Sequence, residues 1–238
     1  MDREKKAEFL LGFHHTKPIL VLPNAWDVGS GVLLAGLPGC RALATTSAGI
    51  ARSLGYEDGE QTPVAEMIEM ARRIAAAVDV PVTADLERGY GDWVATAHAA
   101  WDAGVVGMNF EDSTGGALVP VEDQVAAIRE IKAAVPKLVL NARVDVFLMG
   151  SGDADEAVER ANAYLAAGAD CTYPYCESFE PVPDLVERIK GPVNVVYEPT
   201  FPSPSELEAI GVARVTWGVR LARYAYAEAV RIAADGLA

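Results

Sequence analysis

The chain is poor in cysteine and histidine, with three of each in 238 residues. Cys40, Cys171 and Cys176 are too few for a disulfide framework, so reduced thiols in a cytoplasmic protein are expected. Cys171 and Cys176 have no second Cys or His pair at ligand spacing, which sets a zinc site aside. His14, His15 and His98 fall in helical patterns and read as surface or core residues. No apolar run reaches the roughly 20 residues of a membrane span. The first residues, MDREKKAEFLLGF, lack a long apolar core and a small-residue cleavage site. They read as a first helix rather than a signal peptide. Positive charge is also scarce: 20 Lys and Arg stand against 34 Asp and Glu, a net charge of −14. Such a surface repels phosphate backbones and anionic lipid, which excludes nucleic acid and membrane as partners. An acidic small molecule could still bind, given a local cationic site.

Hydrophobic residues make up 51% of the chain, enough for one large core. Short apolar runs recur: Pro18–Leu22, Arg41–Thr46, Val80–Asp85, Val105–Phe110, Leu138–Arg143, Asp170–Tyr175, Pro192–Tyr197 and Ala213–Trp217. Runs apolar on both faces suit strands of a parallel sheet covered by helices. Helical patterns lie between them. TPVAEMIEMARRIAAAV opens on Pro63 and puts Val64, Met67, Ile68, Ala71 and Ile74 on one face. Eight strands, each followed by a helix, predict an α/β fold of the (β/α)8 TIM-barrel type. No Gly-x-Gly-x-x-Gly follows the first strand, which weakens the doubly wound alternative. With no linker or composition shift, residues 1–238 read as one domain with an N-terminal and a C-terminal helix.

Polar residues collect at the C-terminal ends of these strands. Asn24, Trp26 and Asp27 follow the first, and Thr45, Thr46 and Ser47 the second. Asp85 and Glu87 follow the third, and Asn109, Glu111 and Asp112 the fourth. Asn141, Arg143 and Asp145 follow the fifth, Tyr173 and Tyr175 the sixth, and Glu198 the seventh. In a parallel barrel these ends meet at one mouth, where barrel active sites are built. Carboxylates brought together there raise one another's pKa or are neutralised by a cation. An all-oxygen cluster without His favours Mg²⁺, with Mn²⁺ as the alternative. Arg143 adds a fixed charge and a planar fork suited to a carboxylate. Asn24 and Trp26 are candidates for lining the mouth.

Several segments together resemble the isocitrate lyase and phosphoenolpyruvate mutase superfamily. They are LPNAWD, ATTSAGIARSLGYEDG, DLERGYG, NFEDS, NARVD and GVARVTWG, and they stand in the family's order over nearly the whole chain. The resemblance implies a barrel with Mg²⁺ at its mouth and a 2-oxo acid substrate that chelates the metal. By the same resemblance Asp85 is the direct metal ligand, and Glu87 and Glu111 hold metal-bound waters. Asp58 reaches those waters or the substrate, and Arg143 grips the substrate. Ser47, Ala48 and Gly49, with Thr46 beside them, match the N–H cradle for a carboxylate or enolate oxygen. A homo-oligomer, dimer or tetramer, with a C-terminal helix that packs on a neighbouring subunit is implied as well.

The departures narrow the reaction. Isocitrate and methylisocitrate lyases carry a Cys in a Lys-Lys-Cys-Gly-His gating loop, and the mutases and phosphonopyruvate hydrolases carry a Lys in theirs. Here the loop after Glu111 reads DSTGGALVPVED, without Cys, Lys or His. Where several relatives have a His after the sixth strand, this chain offers Tyr175. The reading is a Mg²⁺-dependent lyase or decarboxylase that breaks a bond at C3 of a small 2-oxo acid such as oxaloacetate. A 2-oxo acid binding protein without turnover and a carbon–phosphorus bond enzyme are the alternatives.

Overall fold

Strand residues buried on both faces need a sheet covered inside and out. Val82, Ala84, Met108, Leu140 and Ala142 are all buried and face the surrounding helices. The computed structural model describes residues 1–149 and 151–237. Along the chain, α1 (Arg3–Phe13) leads into β1 (Leu20–Leu22), β2 (Asn24–Ala25), α2 (Val28–Ala35) and β3 (Leu43–Thr45). There follow α3 (Ser47–Leu54), α4 (Val64–Ala77), β4 (Val82–Asp85), α5 (Trp93–Asp102) and β5 (Gly107–Glu111). A hairpin of β6 (Ser113–Thr114) and β7 (Ala117–Leu118) precedes α6 (Val121–Ala134), β8 (Val139–Val144) and α7 (Ala154–Ala167). The chain then runs through β9 (Cys171–Pro174), α8 (Val182–Arg188), β10 (Asn194–Val196), α9 (Pro204–Ala209), β11 (Arg214–Thr216) and α10 (Arg220–Leu237).

The strands form parallel arcs in the orders β2-β3-β4-β5-β8-β9 and β1-β11-β10. Pro23 separates β1 from β2, so one stave pairs with β11 below and β3 above. A bridge between Thr172 and Val193 joins the other ends. The ring is thereby closed, a (β/α)8 barrel as the sequence predicts. The strands are shorter than the apolar runs. Val105 and Val106 precede β5, while Tyr175 and Tyr197 lie beyond β9 and β10. α1 covers the bottom, where Ala7 and Leu10 pack with Leu20, Leu22, Val106 and Val139. His14 caps the end of α1 and is buried, while His98 is on α5.

Parallel register stacks the interior in layers. Asp85 pairs with Asn109, Asn109 with Asn141, and Asn141 with Cys171. Two residues on, on the same face, Glu111 pairs with Arg143 and Arg143 with Tyr173. Side chains from four strands therefore converge at one level above another.

Candidate active site

A cavity of about 230 Å³ opens at the C-terminal ends of the strands. Asn24, Thr46, Ser47, Ala48, Asp58, Asp85, Arg143 and Tyr175 line it. A smaller neighbouring cavity of about 150 Å³ is bounded by Glu60, Glu87, Arg88, Glu111 and the hairpin residues Ser113–Gly116. Most of the site residues expected from the sequence therefore divide between these two spaces, while Trp26 and Gly49 line neither.

Asp85 ends β4 facing the larger cavity. Its Oδ2 accepts from Ser47 N at 3.2 Å and Ser47 Oγ at 2.9 Å, and Oδ1 accepts from Asn109 Nδ2 at 3.3 Å. Its own N–H donates to Thr45 Oγ1. Thr46 caps α3 with its side chain, which holds Gly49 N. That amide is taken by the cap, Gly49 is outside the cavity lining, and a Cβ there would stand 2.6 Å from Thr46 Cγ2 and 2.8 Å from Trp26 Cβ. Trp26 is outside the cavity lining and lies against Tyr226 of α10, ring centroids 6.1 Å apart. Asn24 lines the wall, but its amide is used in ties. Nδ2 donates to Thr45 O at 2.8 Å, and Oδ1 accepts from Trp217 N and Gly218 N.

The turn after β4 is strained. Glu87 and Tyr90 have φ of +50° and +56°, in the left-handed region that non-glycine residues avoid. Gly89, at φ +86°, has room for no side chain, since a Cβ would meet Trp93 Cα at 2.7 Å. Glu60 clasps this turn. Its carboxylate accepts from Tyr90 N at 2.6 Å and Arg88 N at 3.2 Å, and its N–H donates to Glu87 Oε2 at 2.6 Å. Tyr90 OH donates to Glu87 Oε1 at 2.7 Å. Burial, and then the charges of Asp58 and Asp85, push Glu87 up to about 7 despite these donors. Burial, followed by Asp85, also raises Asp58.

Arg143 is enclosed by acids. Nη1 pairs with Glu111, and Nε donates to Asp145 Oδ1 at 2.6 Å. Burial acts to lower its pKa, but Glu111 and Asp145 more than offset it and hold the guanidinium charged. Burial pushes Glu111 up against the pull of Arg143. The guanidinium lies 4.9 Å from the centre of the Tyr175 ring, and Tyr175 OH accepts from Arg220 Nη1 at 3.4 Å. Asp112, beside Glu111, serves the scaffold. It is fully buried and accepts from Tyr164 OH at 2.7 Å, Arg160 and the N–H of Asp145.

Several lining residues were not singled out by sequence: Leu148, Glu177, Val219 and Arg223. Arg223 is a cation on α10 that shares the cavity lining with Glu177, while Glu198 pairs with Arg220 and Glu228 with Arg231. Its place at the mouth depends on how α10 folds back, which local pattern does not reveal.

Among the described residues no three His, Cys, Asp or Glu side chains gather as a ligand cluster. The donor set instead suits a hard, hydrated cation held by few carboxylates. Burial first, and then the neighbouring carboxylate charges, raise Glu87 and Asp58, and a divalent charge would relieve the second part. Asp85 and Asp58 would face such an ion, with Glu87 and Glu111 behind.

Comparison with known proteins bears on the family and the fold. Residues 10–237 match the family model described as phosphoenolpyruvate phosphomutase. An uncharacterised Mycobacterium tuberculosis protein is 34% identical over 229 residues, covering 94% of this chain and 88% of the other. A proposed lyase/mutase of Burkholderia cenocepacia superposes with a TM-score of 0.91 at 34% identity, over 98% of this chain and 88% of that one. Oxaloacetate acetylhydrolase in complex with its product oxalate superposes with a TM-score of 0.85 at 25% identity, over 96% and 85%. The chain belongs to the isocitrate lyase and phosphoenolpyruvate mutase superfamily of lyases and mutases.

Proposed function

We propose that this enzyme is a Mg²⁺-dependent carbon–carbon lyase that decarboxylates oxaloacetate or a close 3-substituted relative. The gating hairpin is the observation that carries the reading. Ser113–Leu118 forms two paired two-residue strands around Gly115 and Gly116, both with positive φ. It brings Ser113 and Thr114 to the smaller cavity, and no thiol, amine or imidazole. A reaction whose leaving group needs a proton from a thiol, amine or imidazole of this loop has none there. Decarboxylation needs none for the bond-breaking step. The C3–C4 pair flows into the 2-oxo group, CO₂ leaves, and the enolate takes one proton at C3 to give pyruvate.

The bound Mg²⁺ would polarise the 2-oxo group as a Lewis acid. Asp85, fixed by Ser47 and Asn109, would hold the ion, with Asp58, Glu87 and Glu111 positioning its water. Arg143 and the Ala48 amide at the start of α3 would orient the C1 carboxylate. Leu148 and Val219 give the C4 carboxylate an apolar wall, which favours its loss as neutral CO₂. Arg223 at the rim would bring the dianion in. Tyr175, which lines the cavity, would return the proton. The resemblance of fold to an enzyme acting on oxaloacetate supports the same substrate class.

The test is pyruvate release from oxaloacetate with Mg²⁺, against metal alone. The expected result is a protein-dependent rate that EDTA removes and Arg143→Ala abolishes. Phosphate release from phosphonopyruvate, or glyoxylate from isocitrate with no turnover of oxaloacetate, would overturn the assignment.

A further inference from the structure

Below the cavity the barrel interior is polar, and one charge in it lacks a counter-ion. Arg214 on β11 is fully buried. By strand order β11 stands across the barrel from β5. Among the described residues its Nε and Nη1 have no hydrogen-bond partner. Its side-chain bond runs from Nη2 to Asn109 Oδ1 at 3.4 Å. A guanidinium stripped of water with two unmet donor atoms is costly. An apolar side chain of similar length would fill this space at less cost, so packing does not account for arginine here.

Asn109 links that charge to the mouth. Its Oδ1 accepts from Arg214 and also from Asn141 Nδ2 at 2.7 Å. A flipped amide would set its NH₂ against both donors, so the oxygen must face them. The nitrogen is thereby turned to Asp85, donating to Oδ1 at 3.3 Å. Ser47 holds the other oxygen. Both carboxylate oxygens are pinned from opposite sides, and rotation of the carboxylate breaks one set of bonds.

The geometry points to Arg214 as a positioning residue: through the amide of Asn109 it fixes the carboxylate of Asp85 in the orientation that receives the divalent cation. This rests on the metal reading above. The network crosses the barrel and couples β11 to β4, with Arg214 itself outside the cavity lining.

The test titrates the full-length protein with Mn²⁺ alone by calorimetry, beside a thermal melt of each variant. Arg214→Met is expected to weaken Mn²⁺ binding about 10- to 100-fold, as loss of an orienting partner does. Its Tm should equal or exceed that of the wild type, because an unpaired buried charge is gone. Arg214→Lys should recover part of the affinity. Asn109→Leu should match Arg214→Met, and the double variant should be no weaker than either alone. Should Arg214→Met fail to fold, Arg214→Lys and Asn109→Leu carry the comparison. Unchanged affinity in folded variants overturns the relay and leaves the metal reading standing. Losses that simply add in the double variant overturn the route through Asn109. A wild type that binds no Mn²⁺ overturns the metal reading and the relay with it.

Discussion

Arg143→Met tests the ion cluster at the barrel mouth. The Arg143 side chain is 14% exposed, Glu111 12% and Asp145 0%, so all three charges are largely out of water. Removing one partner of a buried pair typically costs about 3–5 kcal/mol, because the charge left behind is uncompensated. Here two carboxylates remain, but Glu111 can relieve the strain by taking a proton. Burial already raises its native pKa above the unfolded value. A native acid with raised pKa binds more protons than the unfolded chain, so stability falls as pH rises. The variant's deficit should therefore be small near about pH 5 and full near about pH 8. At about 2–4 °C per kcal/mol for a chain this size, the full deficit is about 6–20 °C in Tm. Scanning calorimetry at both pH values measures it. Adding Glu111→Gln should restore half or more of the loss, since the two sites share one interaction. A Tm within about 1 °C of wild type near pH 8, or a larger deficit at the lower pH, would refute the reasoning.

Asp85→Ala should abolish measurable Mn²⁺ binding in calorimetry; unchanged affinity would remove Asp85 as the ligand. Burial lowers His14 from 6.5 to about 3. The unfolded chain thus binds the extra proton between those values, and stability due to His14 is whole above 6.5 and lost as pH falls. About 2 kcal/mol should be gone by about pH 5. Urea titrations of wild type and His14→Gln should differ in pH slope, and parallel slopes would contradict the buried neutral ring. Gly49→Ala forces a Cβ against Thr46 and Trp26. It should cost about 1–3 kcal/mol, read as a lower Tm together with a raised KM, because α3 carries Ser47 and Ala48; an unchanged melt would show that the helix has slack. Arg223→Gln should raise KM for oxaloacetate about 5- to 10-fold, with kcat held or increased, because a partly exposed charge contact to the substrate is lost before the transition state. A fall in kcat alone would place Arg223 in the chemistry instead.

The barrel and half of its mouth are legible in sequence for a simple reason. Strands with period 2 end on polar residues, so Asp85, Glu111 and Arg143 declare both their face and their level. What is hidden depends on partners distant in sequence. Asn24 reads as a lining residue, yet its amide is consumed by ties to Thr45 and to the loop after β11. Gly49 reads as part of an N–H cradle, but the close approach of Trp26 and Ala222 explains its lack of a side chain. Glu60 looks like one more acid in an exposed turn. It becomes the clasp of a strained segment because two loops meet, 27 residues apart at the Glu60–Glu87 bond. Arg214 looks like part of a strand facing helices, and only barrel closure turns it toward Asn109.

The acids at this mouth meet burial and mutual repulsion with different partners, and the difference points to which is free for a ligand. Glu111 and Asp145 are committed to Arg143. Glu60 is committed to backbone donors of the turn. Glu87, with a phenol and one amide as donors, is pushed to about 7, within reach of neutrality. Among the described residues Asp85 has neutral donors only, a hydroxyl, an amide and a backbone N–H, and no cationic partner. Neutral donors orient a carboxylate without cancelling its charge, whereas an arginine does both. A residue meant to bind a cation must keep its charge, and a residue meant to build the wall must lose it to a partner. Asp85 points into the larger cavity with neutral donors around it, whereas Glu111 is tied to Arg143, although sequence position alone treats them as equivalent strand-end acids.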